Sequence, residues 1–221
     1  MESDGVTAGI RGVRCAGPGG LQDPGRLRSF DPVLVGRLEA GAWAAYYRRD
    51  WVRLAVTAVG LVRVGFGMDW VRTVHGAWLI ARANQLWAAG QPAGARRCMR
   101  RFYALLRLAY GKPDDPREAA RLEVDWWAVH RAHERGADHD SGPLITALAR
   151  LNAYLYHASE AEVRPAAEHR ARAMNLSDEW VAAGCPPGSP LLPAVRAELV
   201  RSYALLLAAV HRPDRTRRSG S

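Results

Sequence analysis

Apolar residues recur every three or four positions along most of the 221-residue chain, which is the spacing of a helix with one buried side. The clearest repeat consists of Leu144, Leu148, Leu151 and Leu155. No stretch alternates apolar and polar residues between hairpin turns, as a half-buried β-strand would. The pattern therefore predicts an all-α fold, a single orthogonal bundle of about seven or eight helices with disordered termini.

Prolines, glycines and short polar residues mark where these helices begin and end. Asp31 and Asp115 each precede a proline, so a capping carboxylate stands before a residue suited to the first helical turn. Gly67 and Gly111 follow apolar stretches, where a C-terminal cap belongs. Pro165 is expected to begin a helix of its own, because proline interrupts the hydrogen bonding of a helix interior.

Helical spacing also assigns inward faces. On the first predicted helix the apolar stripe consists of Val35, Leu38, Trp43 and Tyr46. On the helix predicted from Asp69 to about Ala89, the inward residues are Val71, Val74, Trp78 and Leu86. These stripes predict which side chains fill the core.

The two ends of the chain differ from its body. Residues 1–29 are rich in glycine and lack apolar periodicity, so they are expected to form a disordered leader. Residues 30–211 form the predicted helical domain, and residues 212–221 form a basic flexible tail. Removing residues 1–28 is expected to leave the melting temperature nearly unchanged, because that stretch has little surface to bury.

The composition is that of a globular protein, with 48% apolar and 24% charged residues. Lysine and arginine number 31 against 22 aspartates and glutamates, a net charge of +9, and all but one of the basic residues are arginine. The predicted helical domain carries +5 of this charge. This mild excess, without a recognisable DNA-binding motif, makes nucleic acid an unlikely partner.

The cysteine pattern and the hydropathy of the chain bear on its cellular location. Three widely spaced cysteines without a Cys-x-x-Cys pair fit a reducing environment, so we expect a cytoplasmic protein. No stretch approaches the roughly 20 apolar residues that would predict a transmembrane segment. Phosphate-binding glycine loops and the Gly-x-Ser-x-Gly motif of hydrolases are also absent from the sequence.

Polar residues interrupt several of the predicted apolar stripes. Together with aromatic neighbours they predict a polar pocket between helices that binds a small-molecule ligand. The candidate pocket residues are Glu39, Tyr46, His75, Arg82, Glu123, Trp127, His130 and Glu168. We further expect Glu123 and His130 to lie on the inner side of their helix, with polar partners on another helix.

Some of these side chains are also suitable metal ligands. Imidazoles and carboxylates on facing helices suit iron, manganese or zinc, and a di-iron site in a bundle uses about four carboxylates and two histidines. The candidate metal ligands are Glu39, Glu123, His130, Glu168 and His169. The sequence thus indicates iron or another divalent metal as a candidate cofactor.

The spacing of Glu123 and His130, with six residues between them, resembles that of the haem-oxygenase-like di-iron oxidases. The resemblance covers two residues of one helix. It implies an iron-dependent oxidoreductase in which these two side chains bind metal. The Asp-x-x-x-His pair expected on a later helix of that family does not occur after residue 140.

Two other interpretations fit the same sequence. The inward polar residues can simply pair with one another and with arginines, fixing the register of the helices. The protein would then be a non-enzymatic interaction protein, binding an acidic partner through an exposed aromatic patch or an arginine-rich helix face. That face would consist of Arg96, Arg97, Arg100, Arg101 and Arg107.

Overall fold

The computed structural model describes residues 23–135 and 140–211, and it confirms the all-α prediction. Eight α-helices follow one another in these ranges, without a β-strand. They are Pro32–Tyr47 (α1), Trp51–Phe66 (α2), Trp70–Ala88 (α3), Pro92–Tyr110 (α4), Pro116–Arg135 (α5), Gly142–Tyr156 (α6), Glu160–Ala182 (α7) and Leu191–Val210 (α8). A short 3₁₀ helix, Pro24–Arg28, precedes α1.

The predicted capping residues form the helix ends. The Asp31 carboxylate accepts hydrogen bonds of 2.9 and 3.1 Å from the first free amides of α1. The Asp69 carboxylate caps α3 in the same way, at 3.0 Å. Gly67 and Gly111 end α2 and α4 with φ angles of 63° and 72°, in the left-handed region that favours glycine. These local signals fix the boundaries of the helices.

Pro165 does not begin a helix, contrary to the sequence prediction, and lies inside α7. Ser159 and Glu162 form a reciprocal capping box that fixes the first turn, with the Glu162 carboxylate accepting from the Ser159 amide at 2.9 Å. Val163 and Ala166 are buried on either side of the proline. Capping and burial together hold the helix through the position where proline removes one amide donor.

The core consists of two main apolar clusters. One lies among α3, α4 and α5 and includes Leu79 and Phe102. The other lies among α1, α6, α7 and α8 and includes Val35 and Leu144. Trp126 on α5 packs against both clusters. The indole therefore joins the two halves of the core at the middle of the molecule.

Helices α1 and α8 cross at very short range. A Cβ atom at Gly36 would lie 2.8 Å from the backbone nitrogen of Val200, closer than real Cβ contacts allow. Only glycine fits this crossing without displacing a backbone. One turn further along each helix, Glu39 and Tyr203 are brought face to face.

The first described residues, 23–29, lie within the predicted leader, and Arg28 contacts the helical bundle. The Arg28 guanidinium donates hydrogen bonds to the backbone carbonyls of Tyr156, at 2.7 Å, and Val210, at 3.4 Å. Ordered structure therefore begins before residue 30, and removing residues 1–28 would take away these bonds. The remainder of the predicted leader and the predicted tail, residues 1–22 and 212–221, lie outside the described residues.

Helix α3 packs with the face opposite to the one predicted. Val71, Val74 and Trp78 are exposed, with Val71 at 82%, whereas Leu86 is partly buried against the core. Apart from Leu79, the buried residues of this helix are small, and a Cβ at Gly76 would meet the Phe102 ring at 3.2 Å. Close packing of α3 on α4 through small residues thus outweighs burial of the larger apolar ones.

Candidate functional site

Three of the predicted pocket residues lie at the surface. Tyr46 is 45% exposed at the end of α1. His75 and Arg82 lie on the exposed face of α3, beside Trp78, whose ring centroid is 6.3 Å from that of His75. His75 and Arg82 are exposed because α3 packs on the core with the face opposite to the predicted one. These three side chains therefore do not line an interior pocket.

Glu39 lies in the interior, where it forms a buried ion pair across the bundle. The Arg170 guanidinium on α7 donates to both carboxylate oxygens, and its Nη1–Oε2 distance is 3.0 Å. The Tyr203 hydroxyl on α8 donates to the same Oε2 at 2.6 Å. Only 7% of the Glu39 side chain is exposed. The carboxylate is therefore fully occupied by partners on two other helices.

Aromatic rings surround the charged end of Arg170. Its guanidinium carbon lies 6.0 Å from the Trp43 ring centroid, 5.8 Å from that of Trp126 and 6.0 Å from that of Tyr203. Burial, followed by the negative charge of Glu39, raises the pKa of the Tyr203 hydroxyl. The phenol thus stays protonated as a donor, and the group is a charge pair enclosed by aromatic rings.

Glu123 forms a second, partly buried polar group between α4 and α5. The Tyr103 hydroxyl donates to Oε2 of Glu123 at 2.7 Å, and the Trp127 indole nitrogen donates to Oε1 at 3.2 Å. Burial raises the pKa of the Glu123 carboxyl, although the two donors and the positive charge of Arg170 oppose this effect. The expected inward position of Glu123 and its partner on another helix are confirmed.

His130 also has the expected partner on another helix. Its Nε2 lies 3.2 Å from Oδ2 of Asp178 on α7, and its Nδ1 lies 3.8 Å from Oε1 of Glu134, one turn later on α5. One ligand atom from each of these three residues lies within 4.8 Å of the others. Burial, followed by the charges of Asp178 and Glu134, raises the pKa of nearby Tyr47 to about 12. Neither Glu134 nor Asp178 is among the residues predicted from the sequence.

The five predicted metal ligands do not come together. Glu39 and Glu123 are held in the two separate groups described above. The Glu168 side chain is 40% exposed and pairs with an arginine one turn earlier. His169 bonds through Nδ1 to Glu198 on α8 at 2.6 Å. Of the five predicted ligands, only His130 belongs to the cluster of three metal-ligating side chains found among the described residues, so the structure does not bring the predicted di-iron ligand set together.

Arginines of α4 and the start of α5 line an open surface groove of 540 Å³. Its lining consists of Arg100, Arg101, Ala104, Arg107, Asp115, Pro116 and Arg117. The only carboxylate among these residues, Asp115, accepts a 2.8 Å hydrogen bond from the Arg117 backbone amide and so caps α5. This groove includes three arginines of the helix face predicted to bind an acidic partner.

Nearby acidic residues are occupied by other arginines. Glu118 and Asp125 both pair with Arg121, at 2.6 and 2.7 Å. Within the described ranges, none of the four groove arginines forms an ion pair with a carboxylate. In the adjoining loop, the hydrogen bond from the Lys112 ammonium is the main reason why the pKa of Asp114 is lowered. The positive charge of Arg107 lowers this pKa further. The groove therefore presents a net positive charge, with four guanidinium groups against the Asp115 carboxylate.

Comparison with known proteins identifies no relative. No family model matches the chain, and neither the curated proteins nor the solved structures include a significant match. The functional argument therefore depends on the geometry of the three sites: the buried carboxylates, the His130 cluster and the arginine groove.

Proposed function

We propose that the protein is a binding protein whose arginine groove takes a small ligand with several phosphate charges. The observation that supports this most directly is the presence of four guanidinium groups around one groove without carboxylate partners. Guanidinium groups match phosphate oxygens in pairs and keep their charge at every physiological pH. The groove is open to solvent, so a ligand would be held there mainly by charge.

The position of the groove adds to its attraction for anions. Pro116, in its lining, is the first residue of the 20-residue helix α5. A helix N-terminus carries about half a positive charge from its aligned peptide dipoles. The Asp115 carboxylate already caps this helix end and offsets part of that charge, so the four arginines supply most of the attraction for a phosphate group.

The buried polar residues support this choice over an interior ligand pocket. The Glu39 and Glu123 carboxylates already accept hydrogen bonds from tyrosine, and Glu39 also binds Arg170. Buried polar groups satisfied in this way stabilise a fold and fix helix register. Both carboxylates therefore have their partners within the protein.

Calorimetry with inorganic triphosphate tests the groove. We expect the full-length protein to bind this probe at low ionic strength and to lose affinity as salt is added, because the attraction is between exposed charges. Reversing Arg101 and Arg107 to glutamate is expected to weaken binding at least tenfold, by about 1.4 kcal/mol or more.

A matched control comes from α8, where Arg196 and Arg201 are also exposed. Reversing both to glutamate changes the net charge equally but leaves the groove intact, so triphosphate affinity should fall much less. Equal losses in the two double variants would show that only overall charge matters and would contradict a groove site. Undetectable binding at low salt would also contradict the proposal.

A second candidate function is divalent-metal binding at His130, Glu134 and Asp178. Its support is the proximity of one imidazole and two carboxylates, whose ligand atoms lie within 4.8 Å. Their side chains are 18–30% exposed, so an ion could enter from solvent. This ligand set suits zinc, manganese or iron and would leave coordination positions for water or substrate. A metal-dependent oxidoreductase would place its ion here.

Zinc titration tests this second candidate. We expect one zinc ion per chain to bind the wild type, and Asp178→Asn to weaken binding at least tenfold because it removes an anionic ligand. Asp125→Asn on α5 is the control, since Asp125 pairs with Arg96 and Arg121 instead. An unchanged affinity in Asp178→Asn, or an equal loss in Asp125→Asn, would exclude this cluster as the site.

The predicted cytoplasmic location remains a prediction. Both cysteines in the described ranges, Cys98 and Cys185, are free thiols. Free thiols are usual in a reducing compartment, which supports the prediction.

A further inference from the structure

Helices α2 and α3 present large apolar side chains to solvent. Val52 on α2 is 78% exposed, and Val62 is the only buried residue of that 16-residue helix. The exposed residues, called here the α2–α3 face, are Trp51, Val52, Val56, Trp70, Val71, Val74 and Trp78. Three exposed tryptophans and four exposed valines on two consecutive helices indicate a surface that is covered in function.

Near the turn between the helices, Arg63 connects α2 to the exposed side of α3. On α2, Val52, Val56 and Arg63 share one side of the helix by their spacing of four and seven residues. The Arg63 guanidinium lies over the Trp70 ring of α3, 4.6 Å from its centroid, and also donates to the Met68 carbonyl. This contact links the exposed side of α2 to that of α3.

The charges around the face are mostly positive. Residues 48–88 contain six arginines, two aspartates and no lysine or glutamate, a net charge of +4. Both aspartates, Asp50 and Asp69, accept hydrogen bonds from the first amides of the two helices. Exposed Arg53 and Arg82 stand beside the apolar side chains. The face therefore combines an apolar surface with a cationic rim.

We infer that the α2–α3 face binds the surface of a membrane that contains anionic lipids. Tryptophan side chains favour the boundary between headgroups and acyl chains, and arginines at the rim would contact lipid phosphates. No single helix in the described ranges is long and apolar enough to cross a bilayer. Within the described part of the chain, α2 and α3 are the one pair of consecutive helices that is together long and apolar enough to cross a bilayer, but the two are bent by 119° at the break between them. This bend favours a position in the membrane interface over one that crosses the bilayer.

The same charges argue against a second copy of the chain as the occupant. A symmetric dimer through this face would bring together two rims that each carry exposed arginines. Like charges across an interface oppose association, whereas an anionic lipid surface compensates them. This difference decides between the two occupants.

Vesicle sedimentation of the full-length protein tests the inference. We expect binding to vesicles of phosphatidylcholine with phosphatidylglycerol, with a blue shift in tryptophan emission, and at least tenfold weaker binding to phosphatidylcholine alone. The double variant Val71→Glu, Val74→Glu should lose at least tenfold in affinity for the anionic vesicles. Both positions are exposed, so the fold should persist, which circular dichroism checks.

Leu108→Glu on α4 is the matched control, because Leu108 is 65% exposed but lies outside the face. It should bind anionic vesicles with nearly wild-type affinity, as should the variant with Arg101 and Arg107 reversed in the groove. Retained binding in the Val71 and Val74 variant would overturn the inference, and so would absent binding by the wild type. Light scattering that showed a dimer dissociated by the same variant would assign the face to a second copy and overturn it as well.

Discussion

Replacing Arg170 with methionine is expected to lower the free energy of unfolding by about 3–5 kcal/mol, as the loss of one member of a buried ion pair generally does. The substitution keeps most of the aliphatic side chain but leaves the Glu39 carboxylate buried without its cation. It also removes the guanidinium from between the Trp43 and Trp126 rings. One side chain thus connects α1, α5, α7 and α8.

Urea unfolding followed by circular dichroism measures this effect. The control is Arg164→Met on the same helix, where the side chain is 49% exposed and its ion pair with Glu168 contributes little. We expect that control to change stability by less than about 1 kcal/mol. A loss in Arg170→Met no larger than in the control would show that the buried pair does not hold the bundle together.

A double variant keeps the test informative if Arg170→Met fails to fold. Replacing Glu39 with leucine in the same chain removes the stranded charge, and apolar replacements of buried ion pairs are often well tolerated. We therefore expect the double variant to recover part of the stability lost in the single one. The recovered difference measures the coupling between the two charges.

The sequence predicts the helices well because their boundaries depend on local interactions. A capping carboxylate such as Asp31 or Asp69 acts on amides only two or three residues away. Glycine at a left-handed position, as at Gly67, is equally local. The error at Pro165 arises because burial of its neighbours stabilises a helix that propensity alone would interrupt.

The inward faces are harder to predict because an apolar stripe does not show what covers it. On α3, small residues such as Gly76 allow close approach to α4, and the larger Val71 and Trp78 are left outside. Apolar periodicity has the same period for a core face and for a surface that binds a partner. The direction of burial depends on neighbouring helices, which the pattern does not contain.

A signal for Arg170 does exist in the sequence, although Arg170 is not among the predicted site residues. Ala166, Ala167, Ala173 and Met174, at three and four residues on either side of Arg170, are all buried. An arginine centred on such a stripe faces inward by helical geometry. Its partner is not predictable in this way, because Glu39 lies 131 residues earlier and only the tertiary fold brings the two together.

The candidate metal site also depends on contacts between helices that the sequence pattern does not predict. The spacing of Glu123 and His130 places both on the inner side of α5, but their hydrogen-bond partners lie on different helices, at Tyr103 and Asp178. Spacing along one helix therefore cannot distinguish a shared site from two separate groups. Glu134 follows His130 by four residues and could have been found as its neighbour.

Glu123→Gln is expected to change how stability depends on pH. Burial raises the pKa of the Glu123 carboxyl above its ordinary value of 4.5, so the folded state holds this proton more tightly than the unfolded chain. The resulting stabilisation is complete below pH 4.5 and is lost as the pH rises through the folded-state pKa. Glutamine does not ionise, so the stability of the variant does not fall in this way as the pH rises.

The expected result is that Glu123→Gln gains stability relative to the wild type between pH 4 and pH 8, by about 1.4 kcal/mol for each tenfold difference in proton affinity between the folded and unfolded states. Urea unfolding at several pH values measures it. Glu118→Gln on the same helix is the control with the opposite sign, because its hydrogen bond from Arg121 lowers the pKa of Glu118. The stabilisation from Glu118 is lost as the pH falls, and its partial exposure keeps it small. Parallel pH profiles for Glu123→Gln and the wild type would contradict a raised pKa, and would mean that Tyr103 and Trp127 compensate the burial of the carboxylate completely.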